Sequence, residues 1–141
     1  MPAIQEKIAP VQALLRAASA RRGHAEFRQL FRIFDDIKLQ RQAKWGSAFS
    51  DRLFSADVFS TLDAASRALC DPQVAICSAV MTKGNGLPGI GFFDNLYLHQ
   101  RDFYRTIAAG LTPHQLLEPA YREQAEQITE LERQRVYRQV R

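Results

Sequence analysis

Residues Lys83 to Phe93 read KGNGLPGIGFF. Gly84, Gly86 and Gly89 stand at the G-x-G-x-x-G spacing with which a glycine turn lets a phosphate approach the backbone. A dinucleotide site also needs a strand before the glycines, a helix N-terminus after them and further parallel strands. Here Pro88 lies inside the motif, Ile90 to Phe93 continues as a short apolar run that reads as extended, and no second and third parallel strands follow. A kinase-type loop would need Val-Ala-Ile-Lys, His-Arg-Asp and Asp-Phe-Gly elsewhere, and none of these is present. A Walker loop would need Gly-Lys-Ser/Thr after the glycines. Turn chemistry accounts for the same residues without a ligand. Asn85-Gly86 takes positive φ readily, and Leu87-Pro88-Gly89-Ile90 fits a type II turn, with Gly89 at the position that requires positive φ. The segment therefore reads as a β-hairpin over residues 74–93. Gly84, Gly86, Pro88 and Gly89 are its structural turn residues, Lys83 and Asn85 stand at its exposed tip, and no cofactor is expected.

The remaining reactive side chains form no constellation. Cys70 and Cys77 are not in a Cys-x-x-Cys pair, and His24, His99 and His114 are scattered without ligand spacing, so no metal site is expected. His99 lies near Asp102 and His114 near Glu118, but neither pair has a third residue in sequence to orient it, and a Cys77 buried in an apolar strand is inert. The chain reads as a non-enzyme with two quiet, reduced thiols.

Charge is the second signal. The formal net charge is +4, and it is unevenly spread: residues 1–54 carry ten basic and five acidic side chains, residues 55–99 two and four, and residues 100–141 seven and six. A basic N-terminal third suits an anionic partner such as nucleic acid, or else a solvated Arg-rich helix surface. With 141 residues, 46% hydrophobic and 24% charged, the chain suits one globular domain. It has no secretory leader pattern and no apolar run long enough to span a bilayer, so a cytoplasmic location is expected.

The elements that would hold these residues are mostly helical. Ile4, Ile8, Val11, Leu15 and Ala18 form one stripe, interrupted by Pro10 and closed by Arg21, Arg22 and a left-handed Gly23. Phe27, Leu30, Phe31, Phe34 and Ile37 mark a second helix from about residue 25 to 43, an aromatic stripe that reads as core. After Gly46 and Ser47, Phe49 and Leu53 suit a short helical piece. Ser55 then reads as the N-cap of a helix whose stripe is Val58, Leu62, Ala65 and Leu69, ended by Asp71-Pro72. Val74 to Thr82 reads as a strand paired with Ile90 to Phe93. Asn95 to Ala109 reads as a helix stopped by Gly110. Thr112-Pro113 starts the last helix, with a break near Glu118-Pro119. Its polar tail has one narrow stripe, which could pack inward or project toward a second copy. The expected architecture is mainly α (α+β): N-terminal helices over residues 1–43, a core over 44–109 carrying the hairpin, and a C-terminal helix over 112–141.

The run ICSAVMTKGNGLPGIGFF resembles a cassette, LSALVVNKxTGLPGxGFF, found in small, mostly uncharacterised proteins of bacteria and their mobile elements. The matching residues are Ser78 to Val80, Lys83, Gly86 to Gly89 and Gly91 to Phe93, whereas Met81-Thr82 replaces Val-Asn. The resemblance implies a winged-helix-like order with the hairpin as wing. On that reading the chain is a DNA-binding or DNA-associated module. Arg52, Arg67, Lys83 and Asn85 are then the candidate contacts, with Arg41 and Lys44 behind them. The alternative is a protein-interaction module, such as an adaptor, an immunity-like protein or an inhibitor, meeting a partner or a second copy through its Arg-rich N-terminal helices or its C-terminal helix.

Overall fold

The computed structural model describes residues 3–140, so Met1, Pro2 and Arg141, at the ends of the N- and C-terminal segments expected above, lie outside the described residues. The protein is mainly helical. A 3-10 turn, Ile4–Lys7, leads into α1 (Ile8–Ala20), followed by β1 (Ala25–Glu26), α2 (Phe27–Ile33), α3 (Asp35–Trp45) and α4 (Asp51–Leu69). The second half holds β2 (Met81–Thr82), α5 (Ile90–His99), α6 (Arg101–Ala108), α7 (Pro113–Leu116) and α8 (Arg122–Gln139). Pro10 is the third residue of α1, where no intrahelical partner awaits its missing N–H, so the helix runs through it.

One core joins the two halves. Val11, Leu15 and Ala18 of α1 meet Val58, Leu62 and Ala65 of α4, and Phe93, Leu96, Leu116, Ile128 and Val136 complete it. β1 and β2 make a two-stranded parallel sheet, Ala25 opposite Met81 and Glu26 opposite Thr82.

The expected hairpin over 74–93 does not form. Ala75 to Val80 is buried apart from half-buried Ser78, with a 3-10 turn at Cys77–Val80. Only Met81–Thr82 is a strand, and its partner is β1 rather than residues 90–93. Those residues open α5, where Phe92, Phe93 and Leu96 are buried. A short apolar run carries no periodicity that separates strand from buried helix, and here it forms the first turn of a helix that buries Phe92, Phe93 and Leu96 on one side.

In the irregular segment between α4 and β2, Val74 and Ala75 N–H pair with the Asp71 carbonyl and Ala79 N–H with that of Ile76, and other backbone groups are satisfied by side chains, chiefly from α8. Ile76 N–H donates to Glu132 Oε2 at 3.3 Å, and Arg133 Nε donates to the Ala79 carbonyl at 2.7 Å. Arg135 donates to the Val74 carbonyl, and Gln100 Nε2 to that of Pro72 at 2.9 Å. A buried backbone must be paired somewhere, and these polar side chains do what a neighbouring strand would otherwise do. The stripe of α8 therefore faces inward, with Ala125, Ile128, Glu132, Arg133 and Val136 buried, while Leu131 is 49% exposed.

Smaller differences have local causes. The second helix breaks at Phe34, whose φ of −102° and ψ of 8° separate α2 from α3. Ser50, not Ser55, caps α4, its hydroxyl accepting from Leu53 N–H at 3.2 Å. The left-handed residue after α1 is Arg22, at φ 52°, rather than Gly23. The helix expected over 95–109 starts at Ile90 and divides at Gln100 into α5 and α6. The last-helix signals hold: Thr112 and Gln115 form a reciprocal capping box with Pro113 at the first turn, and a 3-10 turn at Pro119–Tyr121 separates α7 from α8.

Candidate binding groove

The glycine cassette is a turn that seats a lysine. Gly86 has φ +83°, the left-handed geometry expected of it, and its N–H donates to the Lys83 carbonyl at 3.0 Å. Lys83 N–H donates to the Leu87 carbonyl at 2.8 Å, and Asn85 Oδ1 accepts from Leu87 N–H at 3.0 Å. From α8, Arg122 donates to the Asn85 carbonyl and Arg133 Nη2 to that of Gly86 at 3.4 Å. Pro88 is buried, and Gly84 faces open space. Gly89 differs from expectation: its φ is −80° and ψ 179°, so it is extended rather than the third residue of a type II turn. Lys83 supplies the reason for a glycine here, since its Cε lies 3.3 Å from where a Cβ of residue 89 would stand. The lysine stem thus runs across the face of Gly89.

Beside this turn, α2, α4 and the start of α5 enclose a groove of about 620 Å³. Phe27, Phe31, Phe59, Leu62, Ile90 and Phe92 supply its apolar walls. Phe59 packs edge-on against Phe27, with ring centroids 5.9 Å apart, and against Phe31 at 5.7 Å. Phe27 and Phe31 pack half-buried against the core, but Phe59 is 46% exposed, so the cluster opens to solvent on its Phe59 side. Ser78, Asn95, Lys83 and Asp63 are the polar lining. Asp63 is bound to Arg67 Nε at 3.0 Å, whereas the side chains of Ser78, Lys83 and Asn95 have no hydrogen-bond or ionic partner among the described residues.

The six candidate contact residues fall into separate places. Lys83 lines the groove, and Arg67 adjoins it through Asp63, with Nη2 3.4 Å from His99 Nε2. Asn85 is occupied in holding its own turn. Arg41, Lys44 and Arg52 lie around the α3–α4 corner. Arg41 pairs with Asp57 at 2.7 Å, Lys44 stands over the Trp45 ring at 5.2 Å, and Arg52 is exposed in the first turn of α4. Fifteen residues of helix separate Arg52 from Arg67, about 22 Å along the axis. Phe59 is what the sequence did not reveal: Phe27 and Phe31 read as core and do pack, half-buried, against it, whereas Phe59 had no role. Phe59 adjoins Val58 but stands off the Val58–Leu62–Ala65 stripe, and a large apolar residue off the buried stripe is the signal that points to it.

Other titratable groups serve the frame. Burial pushes Glu132 above the ordinary carboxylate range, against the pull of Arg135 and its hydrogen bonds. A hydrogen bond with Cys70 and burial both push the Cys77 thiol up, and both cysteines are buried. No group of three or more His, Cys, Asp or Glu side chains is placed to hold a metal among the described residues, and no described helix is long and apolar enough to cross a membrane. No protein-family model, curated protein or solved structure matches the chain.

Proposed function

We propose that the chain is a non-enzymatic protein-interaction module that receives an apolar side chain of its partner in the groove between α2, α4 and α5. The observation carrying this reading is the solvent-open cluster of Phe27, Phe31 and Phe59 around a cavity of about 620 Å³. That size is within the ~300–1,000 Å³ of ordinary ligand sites, and exposed apolar surface in a concave setting marks a binding face. Selection of a random linear-peptide library on the protein tests it. The reading expects enriched peptides with a large apolar anchor whose binding is lost in Phe59→Asp, a substitution at a half-exposed position. Failure to enrich any peptide, or equal binding to the variant with its helical circular dichroism intact, would overturn the reading. The two free buried cysteines suit a reducing compartment such as the cytoplasm.

The α3–α4 corner favours a second reading, nucleic-acid binding. Lys38 and Arg41 lie about the Phe54 ring, at 5.9 and 6.0 Å, and Trp45 is 55% exposed beneath Lys44. Basic groups beside an exposed aromatic ring suit phosphates and a stacked base. In the winged-helix-like form of this reading, which the cassette likeness to mobile-element proteins suggests, α4 is the helix presented and the 83–87 turn takes the place of the wing. Against it, Arg41 and Arg67 are already paired with aspartates on α4. Titration of duplex and single-stranded DNA at several salt concentrations is the test. Affinity should fall steeply with salt and weaken when Lys44 and Arg52 are both replaced by Ala; no binding at low salt would end this reading.

A further inference from the structure

The charge and hydrogen-bonding capacity left open in the groove specify more than an apolar anchor. Of its two charged lining residues, Asp63 is neutralised by Arg67, while the Lys83 ammonium has no partner among the described residues. The mouth is therefore positive, which favours an anionic group and disfavours the ammonium that an aromatic cluster alone could hold. The half-buried Ser78 hydroxyl and Asn95 amide are also unpartnered, so the groove offers hydrogen bonds to a donor and an acceptor as well as a cation. Gly89 carries no side chain and thereby lets the Lys83 stem lie flat along the groove wall, Cε 3.3 Å from the missing Cβ.

We propose that the groove captures the C-terminal end of a partner chain. The last side chain, large and apolar, fills the space among Phe27, Phe31 and Phe59. The terminal carboxylate meets Lys83, and the last amide group meets Ser78 or Asn95. This occupant answers every open feature at once, whereas a free apolar acid lacks the amide and an internal peptide segment lacks the carboxylate. The inference rests on the groove reading above and specifies the partner's chemistry.

The test is fluorescence anisotropy with the full chain and a labelled hexapeptide, Gly-Ser-Gly-Ser-Leu-Phe, as the free acid and as the C-terminal amide, with 3-phenylpropionate as competitor. The acid peptide should bind about two- to five-fold more tightly than the amide, the scale of one solvent-exposed ion pair. Lys83→Gln should abolish that preference and leave amide binding unchanged. Gly89→Ala, which leaves the charge in place but crowds the lysine stem, should reduce the preference in part. Gly91→Leu, at a lining position with open space around it, should block both peptides. Equal binding of acid and amide by wild type, or a preference that survives Lys83→Gln, overturns the carboxylate assignment and leaves the apolar-anchor reading standing. Binding of 3-phenylpropionate without either peptide overturns the chain-end assignment in favour of a small acid. If neither probe binds while library selection still enriches internal anchors, this inference fails and the groove reading survives; if selection fails as well, both fall.

Discussion

Removing the carboxylate of Glu132 tests whether side chains of α8 hold the frame beneath the groove. Glu132 is fully buried, its Oε2 accepts from Ile76 N–H and Gln100 Nε2, each at 3.3 Å, and its Oε1 has only the Arg135 guanidinium, 3.3 Å away, as compensation. In Glu132→Ala, Gln100 keeps its bond to the Pro72 carbonyl and Arg135 keeps those to Val74 and Gln100. Ile76 N–H is left buried without an acceptor, and a side-chain-sized void opens. An unsatisfied buried backbone donor costs about 1–3 kcal/mol and the void adds to it; a loss of about 3 kcal/mol lowers Tm by roughly 10 °C in a chain of this size. Glu132→Gln keeps an oxygen for Ile76 and fills the same volume, and the partly solvated Arg135 retains its bonds to Gln100 and Val74, so the variant should fall within about 1 kcal/mol of wild type. The pH dependence separates the two roles. A carboxyl raised by burial holds its proton more tightly in the folded state. Its contribution to stability is full below the ordinary glutamate value and is lost as pH rises through the raised one. Wild type should therefore lose stability over that interval relative to Glu132→Gln, which has no such proton. Urea unfolding of the three proteins across acid to neutral pH measures both effects. A Glu132→Ala cost below about 1 kcal/mol, or a Glu132→Gln loss equal to it, would refute the claim that this side chain serves as a backbone acceptor.

The glycines should separate in the same assay: Gly86→Ala, at φ +83°, should cost about 1–2 kcal/mol, while Gly84→Ala, in open space without positive φ, should change stability by less than about 0.5 kcal/mol. Comparable costs at the two positions would contradict the turn geometry. Tyr104, whose hydroxyl donates to the Leu111 carbonyl, is pushed up to about 12 by burial and then by Tyr97 and Asp94. Its contribution is present below the ordinary tyrosine value and should be lost as pH rises from about 10 toward 12, a stability loss that Tyr104→Phe should lack.

What was legible in the sequence follows the range of the forces involved. Helix stripes and end signals are local, so Val11, Leu15, Val58, Leu62 and Ala65 were placed on buried faces, and Thr112-Pro113 started its helix where expected. The irregular course of Val74 to Val80, expected as a strand, was not legible because its partners are remote. Glu132 and Arg133 reach Ile76 and Ala79 across 56 and 54 residues, and polar residues in a polar tail carry no pattern that marks them as buried acceptors and donors. Ile90 to Phe93 failed for a related reason, since an apolar run without alternation takes whichever form its neighbours leave open. The groove was half legible. Lys83 and the glycines were singled out, but as the tip of a hairpin; Phe27 and Phe31 read as core, which they are on one side only, and Phe59 carried no role.

The same remote contacts tie the frame to the site. Arg133 spans from the Ala79 carbonyl to that of Gly86, and Arg122 holds the Asn85 carbonyl, so α8 fixes both ends of the stretch that carries Lys83. A hairpin would have fixed that stretch by its own ladder, leaving residues 90–93 as a second strand. β2 pairs with β1 instead and those residues begin α5, which puts Ile90 and Phe92 in the lining of the same groove as Phe27 and Phe59. The groove thus exists because the cassette is not a hairpin, and the polar face of α8 is what allows it not to be one.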